Sequence, residues 1–150
     1  MAPLMTLKKK ITRKEPTINL KIGPTYFSAL IDTGSSVTLI KSSAFNLIED
    51  GLKFPRKNNL KIFDASGNVI PETGSFYVRA TLNNFSIDIP VIVVADSMNF
   101  KHPILLGMDV IDVYKFRLDF AENKLTFGNT CIGMQFDQTL SHRSTYIDYR

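Results

Sequence analysis

The sequence predicts an all-β, barrel-like domain with one or two short helices. Three observations support this: many apolar segments have strand length, apolar and polar residues alternate within them, and turn-forming residues separate them. Residues 17–22 (Thr-Ile-Asn-Leu-Lys-Ile) alternate in this way, and Gly23-Pro24 follows them as a turn signal. With 150 residues, of which 44% are hydrophobic and 21% charged, the chain has the size and composition of one globular domain.

The remaining elements follow from the same signals. Pro90 predicts a bulge or an edge position in its strand, because proline cannot donate a ladder hydrogen bond. A serine N-cap and Gly51 delimit the first of two short helices. The predicted strands lie at residues 17–22, 26–31, 38–40, 59–63, 69–70, 75–82, 85–93, 104–106, 116–120 and 124–127, and the helices at 42–50 and 108–115.

The cysteine content and the lengths of the apolar runs indicate in which compartment the protein is expected and which partners are not. Cys131 is the only cysteine, so no intrachain disulfide forms, which fits a reducing compartment. We expect a cytoplasmic protein, since no secretory signal is evident. No apolar run reaches the ~20 residues that span a bilayer, so no membrane partner is expected.

Much of the net charge of +4 lies in a basic N-terminal arm, residues 1–16. A solvated arm is the simpler interpretation, and contact with a polyanion is the alternative. No aromatic residues are interleaved for base stacking, so we do not expect a nucleic-acid partner. The domain itself is predicted over residues 17–127. Residues 128–150 form a C-terminal extension that adds interface strands, packs on the core or is disordered; the sequence leaves these alternatives open.

The most informative motif is Asp32-Thr33-Gly34, at the end of the strand 26–31. Two carboxylates held a few ångströms apart cannot both ionise cheaply, so such a pair shares one proton. One carboxylate oxygen can then accept a proton from water while the protonated partner polarises a peptide carbonyl. This chemistry needs no metal and no other cofactor. One chain supplies one such loop, so a second copy of the chain has to supply the other.

A second motif, Leu105-Leu106-Gly107, follows about 70 residues later. Together with Asp32-Thr33-Gly34 it makes residues 17–127 resemble the retropepsins, and most of all the proteases of LTR retrotransposons and related retroelements. The resemblance implies a closed retropepsin fold in which the second motif packs beneath the catalytic loop. It also implies a homodimer whose two Asp32 side chains meet on a two-fold axis.

The resemblance assigns a role to each position of the loop. Asp32 is the catalytic acid, and Thr33 hydrogen-bonds across the two-fold axis. Gly34 allows the sharp turn and brings its amide to the carboxylate. Ser35 is expected to donate a hydrogen bond to Asp32 and to orient it.

A flap hairpin that folds over the substrate is expected between the two motifs, over residues 60–76. Its tip would be Ala65, Ser66, Gly67 and Asn68. The substrate is an extended peptide, bound as an added strand, and the resemblance implies a retroelement polyprotein. Retroelement particles are then an alternative location. The expected pocket walls are Ala29 or Leu30, with Val69, Ile70 and Leu105.

Three alternatives concern the polar residues and the activity. The segment Asp64-Ala65-Ser66-Gly67 could be a second catalytic loop, but it departs from the motif and we interpret it as a turn. Asp109 is expected to cap the helix that follows Gly107, with a role in the dimer as the alternative. A domesticated, non-catalytic dimer that binds peptides without cutting them is the alternative function.

Overall fold

The structure is a computed structural model and describes residues 12–57, 61–64, 66–71, 74–140 and 148–149. Within these residues the chain is mostly β-strand, as predicted. The two α-helices are α1 (Ser42–Asn46) and α2 (Met108–Ile111), and a 3-10 turn covers Asp50–Leu52. The strands are β1 (Thr12–Ile22), β2 (Thr25–Ile31), β3 (Leu39–Lys41), β4 (Lys53–Pro55), β5 (Ile62–Phe63), β6 (Gly74–Leu82), β7 (Phe85–Val94), β8 (Ile104–Leu106), β9 (Arg117–Asp119), β10 (Lys124–Phe127), β11 (Thr130–Gly133), β12 (Gln135–Leu140) and β13 (Asp148–Tyr149).

Six strands close into a barrel in the order β1, β2, β8, β3, β7 and β6. The pairing of Lys21 in β1 with Thr81 in β6 completes the ring. Closure gives β1 and β6, the two strands that meet there, a hydrogen-bonding neighbour on both sides. The expected all-β, barrel-like fold is therefore confirmed.

Strand β8 lies between β2 and β3 and brings the two sequence motifs together. It runs parallel to β2, with Leu30 opposite Leu105 and Ile31 opposite Leu106. It runs antiparallel to β3, which leads out of the loop that follows β2. Because parallel neighbours end at the same edge, the residues after β2 and after β8 meet at one end of the barrel.

Apolar side chains form two clusters on opposite sides of these strands. The larger cluster fills the barrel and includes Leu20, Ala29 and Leu106. The smaller one lies on the other side and contains Leu30, Val37, Leu39, Ile62, Ile70, Ile92, Val94, Phe100 and Leu105. Successive strand residues point to opposite faces, so Ala29 and Leu30 belong to different clusters.

Several elements differ in extent from the prediction. Strand β1 begins at Thr12 rather than at residue 17, so part of the expected N-terminal arm is strand; residues 1–11 lie outside the described part of the chain. Helix α1 ends at Asn46, and β4 was not predicted at all. Pro90 pairs with Tyr77 in an uninterrupted β6–β7 ladder, so there is no bulge at this position. The pairing of β7 with β3 begins at Ile92, so Pro90 lies at an edge of the ladder, the other predicted alternative.

The expected serine N-cap of α1 is wrong. Lys41 occupies the cap position, and no side chain of the helix caps it. The carboxylate of Asp96 does so from another loop, because it accepts hydrogen bonds from the Ser43 N–H (2.9 Å) and the Ser42 hydroxyl (3.2 Å). These bonds, led by the Ser43 amide, lower the pKa of Asp96.

The segment after residue 127 contributes strands to three sheets. β11 extends the β9–β10 hairpin, and β12 pairs antiparallel with β1 from Thr17 opposite Gln135 to Thr12 opposite Leu140. β13 pairs antiparallel with β5. Across the described residues, neither helix has the length and apolar character needed to cross a membrane.

Candidate active site

Asp32 lies at the first residue after β2, where the backbone leaves the barrel. Its N–H donates to the Leu106 carbonyl (2.9 Å), which ties the start of the loop to the end of β8. The residue is partly buried, and its carboxylate accepts a hydrogen bond from the Gly34 N–H at 2.9 Å. The predicted approach of the Gly34 amide to the carboxylate is confirmed. Thr33 and Gly34 are exposed beside it.

Gly107 fits beneath the loop because it has no side chain. A Cβ at this position would lie 2.2 Å from the Val37 carbonyl oxygen and 2.8 Å from that of Ser35. Leu105 and Leu106 are fully buried on either side of the β8 strand. The packing of the second motif against the Asp32 loop, which the resemblance implied, is therefore present.

Ser35 does not donate to Asp32, contrary to the prediction. The side chain is fully buried, and its hydroxyl donates to the Val37 carbonyl at 2.7 Å. A hydroxyl has one proton, so this bond uses the donor that was expected to face the carboxylate. The Ser35 backbone also takes part, since its carbonyl accepts the Met108 N–H at 2.8 Å. Ser35 thus supports the loop from its buried side.

A pair that sequence reasoning missed, Thr38 and Asp109, joins the two motifs. The Thr38 hydroxyl donates to one carboxylate oxygen of Asp109 at 2.6 Å, and its N–H donates to the other at 3.1 Å. The same hydroxyl accepts the Gly107 N–H at 3.0 Å. Thr38 is fully buried. Thr38 and Asp109 are 71 positions apart in the sequence, so no local signal indicates this pair.

The expected capping role of Asp109 is therefore wrong. Gly107 occupies the cap position of α2, without a side-chain cap bond, and the Asp109 carboxylate faces Thr38 instead. Burial raises the pKa of Asp109, and the two hydrogen bonds from Thr38 oppose this shift.

The smaller apolar cluster lies beside the catalytic loop. Leu30, Leu105 and Ile70, three of the residues expected to form pocket walls, belong to it and are buried. Ala29, the alternative to Leu30, belongs to the main core and is fully buried. Val69 is 54% exposed and lies on the outside of this region.

The segment expected to form the flap contains a hairpin, described by residues 62–64 and 66–70 and called the 62–70 hairpin below. Asp64 shapes its tip, because its carboxylate accepts the N–H groups of Ser66 (2.9 Å) and Asn68 (3.0 Å). Gly67 has a φ of 87°, which favours glycine. The interpretation of this segment as a turn is confirmed; Leu60 and Ala65 lie outside the described residues.

The described residues contain no group of three or more His, Cys, Asp or Glu side chains arranged to hold a metal ion. What the site offers is the carboxylate of a partly buried aspartate on an Asp-Thr-Gly turn, supported by a buried Leu-Leu-Gly segment. That arrangement defines the catalytic loop of the aspartic-protease class.

Comparison with known proteins gives the family. Residues 18–110 match the Aspartyl protease family, so the chain belongs to it. The sequence has no match among curated proteins.

Two solved structures show the fold. The retroviral protease-like domain of Ddi1 from Leishmania major is similar with a TM-score of 0.61 and 15% identity, covering 81% of this chain and 90% of that one. EIAV protease complexed with the inhibitor HBY-793 is similar with a TM-score of 0.54 and 20% identity, covering 72% and 95%. The retropepsin fold expected from the two motifs is thereby confirmed, and the chain is a retropepsin-like aspartic protease domain.

Proposed function

We propose that the protein is a homodimeric aspartic endopeptidase in which the Asp32 carboxylates of two chains activate one water molecule. The observation that carries this proposal is the carboxylate of the partly buried Asp32, which accepts a hydrogen bond from the Gly34 N–H at 2.9 Å. One chain supplies one such carboxylate, and the reaction needs two. A two-fold axis brings identical groups together, so a second copy of the chain completes the site.

The mechanism follows from two carboxylates that share one proton. The ionised Asp32 removes a proton from the water as it attacks the peptide carbonyl carbon, and the protonated Asp32 donates to the carbonyl oxygen. The Asp32 that took the proton from the water then passes it to the leaving nitrogen as the carbon–nitrogen bond breaks. The proton that went to the carbonyl oxygen returns to the other Asp32 as the new carboxyl group forms, which restores the shared proton. Two hydrogen bonds hold Asp32 in place for these proton transfers in each chain. The Gly34 N–H donates to its carboxylate, and its own N–H donates to the Leu106 carbonyl. We expect Thr33, which is exposed next to Asp32, to hydrogen-bond to the loop of the second chain.

The substrate in this proposal is an extended peptide that lies between the catalytic loop and the 62–70 hairpin, which acts as the flap. Leu30 and Ile70, which are 8% and 5% exposed, are the members of the apolar cluster there that alternate side chains of the peptide would contact; Leu105, fully buried in the same cluster, would support them. The exposed tip at Ser66, Gly67 and Asn68 is the part of the hairpin that opens for entry.

A retroelement polyprotein, processed in the cytoplasm or in particles, is the substrate class that we propose from the resemblance of the two motifs. Expression of a longer precursor tests it. The wild-type precursor should be cut at its flanks, and the same precursor with Asp32→Asn should stay intact.

Peptide cleavage measured together with the mass in solution tests the activity. We expect the wild type to be a dimer that cleaves peptides. Asp32→Asn should remain a dimer and lose at least about a hundredfold in rate, the usual scale for loss of a general acid or base. Asp50→Asn is the matched control, because its fully exposed carboxylate lies on the 3-10 turn. Equal rates for Asp32→Asn and wild type, or cleavage by a strict monomer, would contradict the proposal. A dimer that binds peptides without cutting them would establish the non-catalytic module instead.

A further inference from the structure

The strand β5 of the 62–70 hairpin has two edges, and the hairpin itself uses one. The Ile70 N–H donates to the Ile62 carbonyl at 2.7 Å, and the Asp64 N–H donates to the Asn68 carbonyl at 2.9 Å. Backbone groups alternate in direction along a strand. The N–H and C=O of Phe63 therefore point to the opposite edge.

That second edge is where β13 lies. The two strands are antiparallel, with Asp148 opposite Phe63 and Tyr149 opposite Ile62. Since the Ile62 carbonyl is directed to Ile70, the pair that can exchange hydrogen bonds across this edge is Phe63 with Asp148.

The same edge is the one that an extended peptide in the proposed cleft would use. Ile62 is 1% exposed and packs in the cluster that contains Leu30 and Leu105. Leu30 is in the strand that precedes the Asp32 loop, and Leu105 is in the strand that precedes Gly107. β5 therefore lies against the floor beside that loop. Its other edge is closed by the hairpin, so a peptide added as a strand has to pair with Phe63.

We propose that β13 is an internal competitor: this chain's own residues 148–149 take the strand position of the substrate and lower the affinity for it. The inference rests on the proposed function, because it concerns regulation of the same cleft. The β12–β1 ladder anchors the preceding segment on the same domain. The competing strand is thus present at a high effective concentration. Only two residues pair, so a substrate of ordinary length displaces it, and the strand tunes affinity without abolishing activity.

A pair of proline variants of the full chain tests the competition. Asp148→Pro removes the N–H that faces Phe63 and should lower KM for an extended peptide about fivefold, with kcat unchanged. Tyr149→Pro is the matched control, because the Tyr149 N–H points away from β5; its KM should stay within about twofold of wild type. In a chain that ends at Leu140, a synthetic peptide with the sequence of residues 141–150 should act as a competitive inhibitor.

Hydrogen exchange at the Phe63 amide gives a readout that does not need activity. We expect slow exchange in wild type and in Tyr149→Pro, and faster exchange in Asp148→Pro. Equal exchange in all three overturns the pairing whatever the activity. Faster exchange with an unchanged KM overturns the competition while the proposed function stands. Faster exchange in a protein that never cleaves peptides overturns the proposed function, and the regulatory inference with it.

Discussion

Replacing Gly107 with alanine tests whether close backbone packing holds the catalytic loop in place. A Cβ at this position would lie 2.2 Å from the oxygen and 2.6 Å from the carbon of the Val37 carbonyl, and 2.8 Å from the Ser35 oxygen. All three are backbone atoms, so no side-chain rotation relieves the overlap. We expect Gly107→Ala to displace the loop that carries Asp32.

The size of the effect follows from the distances. Ordinary van der Waals contact begins at 3.4 Å, so the shortest contact has to grow from 2.2 to 3.4 Å, by 1.2 Å. A shift of that size breaks the bond from the Gly107 N–H to Thr38 (3.0 Å) and the bond from the Met108 N–H to Ser35 (2.8 Å). Overpacking costs about 1–3 kcal/mol and each lost bond about 1 kcal/mol. The free energy of unfolding should therefore fall by about 3–5 kcal/mol, and Tm by about 10–15 °C.

Urea and thermal unfolding at one fixed protein concentration measure this loss, since the stability of the proposed dimer would depend on concentration. Gly133→Ala is the matched control, because nothing lies within 4 Å of the Cβ that it adds. Its stability should stay within about 1 kcal/mol of wild type. If Gly107→Ala were no less stable than Gly133→Ala, the argument from backbone contact would be wrong.

The remaining predictions concern the Thr38–Asp109 pair and the hairpin tip. Thr38→Val removes the hydroxyl that accepts from the Gly107 N–H and donates to the Asp109 carboxylate, so the free energy of unfolding should fall by about 2–4 kcal/mol. Thr38→Ser keeps a hydroxyl and should recover most of that stability. Burial raises the pKa of Asp109 above its ordinary 3.8, so the folded chain retains this proton longer than the unfolded chain. The resulting stabilisation is full below pH 3.8 and is lost as the pH rises through the raised pKa. The free energy of unfolding of wild type, compared with that of Asp109→Asn, should therefore fall as the pH rises from 3.8 through the raised pKa. Asp64→Ala removes the acceptor of two tip amides and should lower kcat/KM several-fold while Tm changes by no more than a few degrees.

Each of these has a contrary outcome that a single experiment detects. Equal stability of the valine and serine variants at position 38 would show that the hydroxyl bonds contribute little. A stability difference between wild type and Asp109→Asn that is constant from pH 3 to 7 would contradict the raised pKa. A large loss of Tm in Asp64→Ala would show that the tip supports the fold rather than the turnover of peptide.

Sequence reasoning located the features whose requirements are local. Asp32-Thr33-Gly34 and Leu105-Leu106-Gly107 can be recognised because a tight turn and a close backbone approach demand particular residues at particular spacings. The Gly34 amide reaches the carboxylate two residues away, so its role follows from the turn alone. The barrel strands were predicted for the same reason, since alternation is a property of neighbouring residues.

The interactions that were missed join residues far apart in the chain. Thr38 and Asp109 are common polar residues 71 positions apart, and nothing near either one indicates the other. Asp109 stands where a helix cap is plausible, and only the fold directs its carboxylate to Thr38. The β13–β5 pairing is of the same kind, because a two-residue strand has too little pattern to reveal its partner.

In the proposed dimer, the division of contacts around the Asp32 loop would allow each half of the active site to form before the two chains associate. The inward side is occupied: Ser35 and Thr38 are fully buried, and their bonds run to Val37, Gly107 and Asp109. On the outward side Thr33 is exposed and Asp32 is partly exposed. If two chains associate as proposed, the backbone of each loop would already be ordered by folding, so association would not have to contribute that free energy. A loop that depended on its partner for its shape would have to order two chains at the moment of contact, which would weaken the dimer.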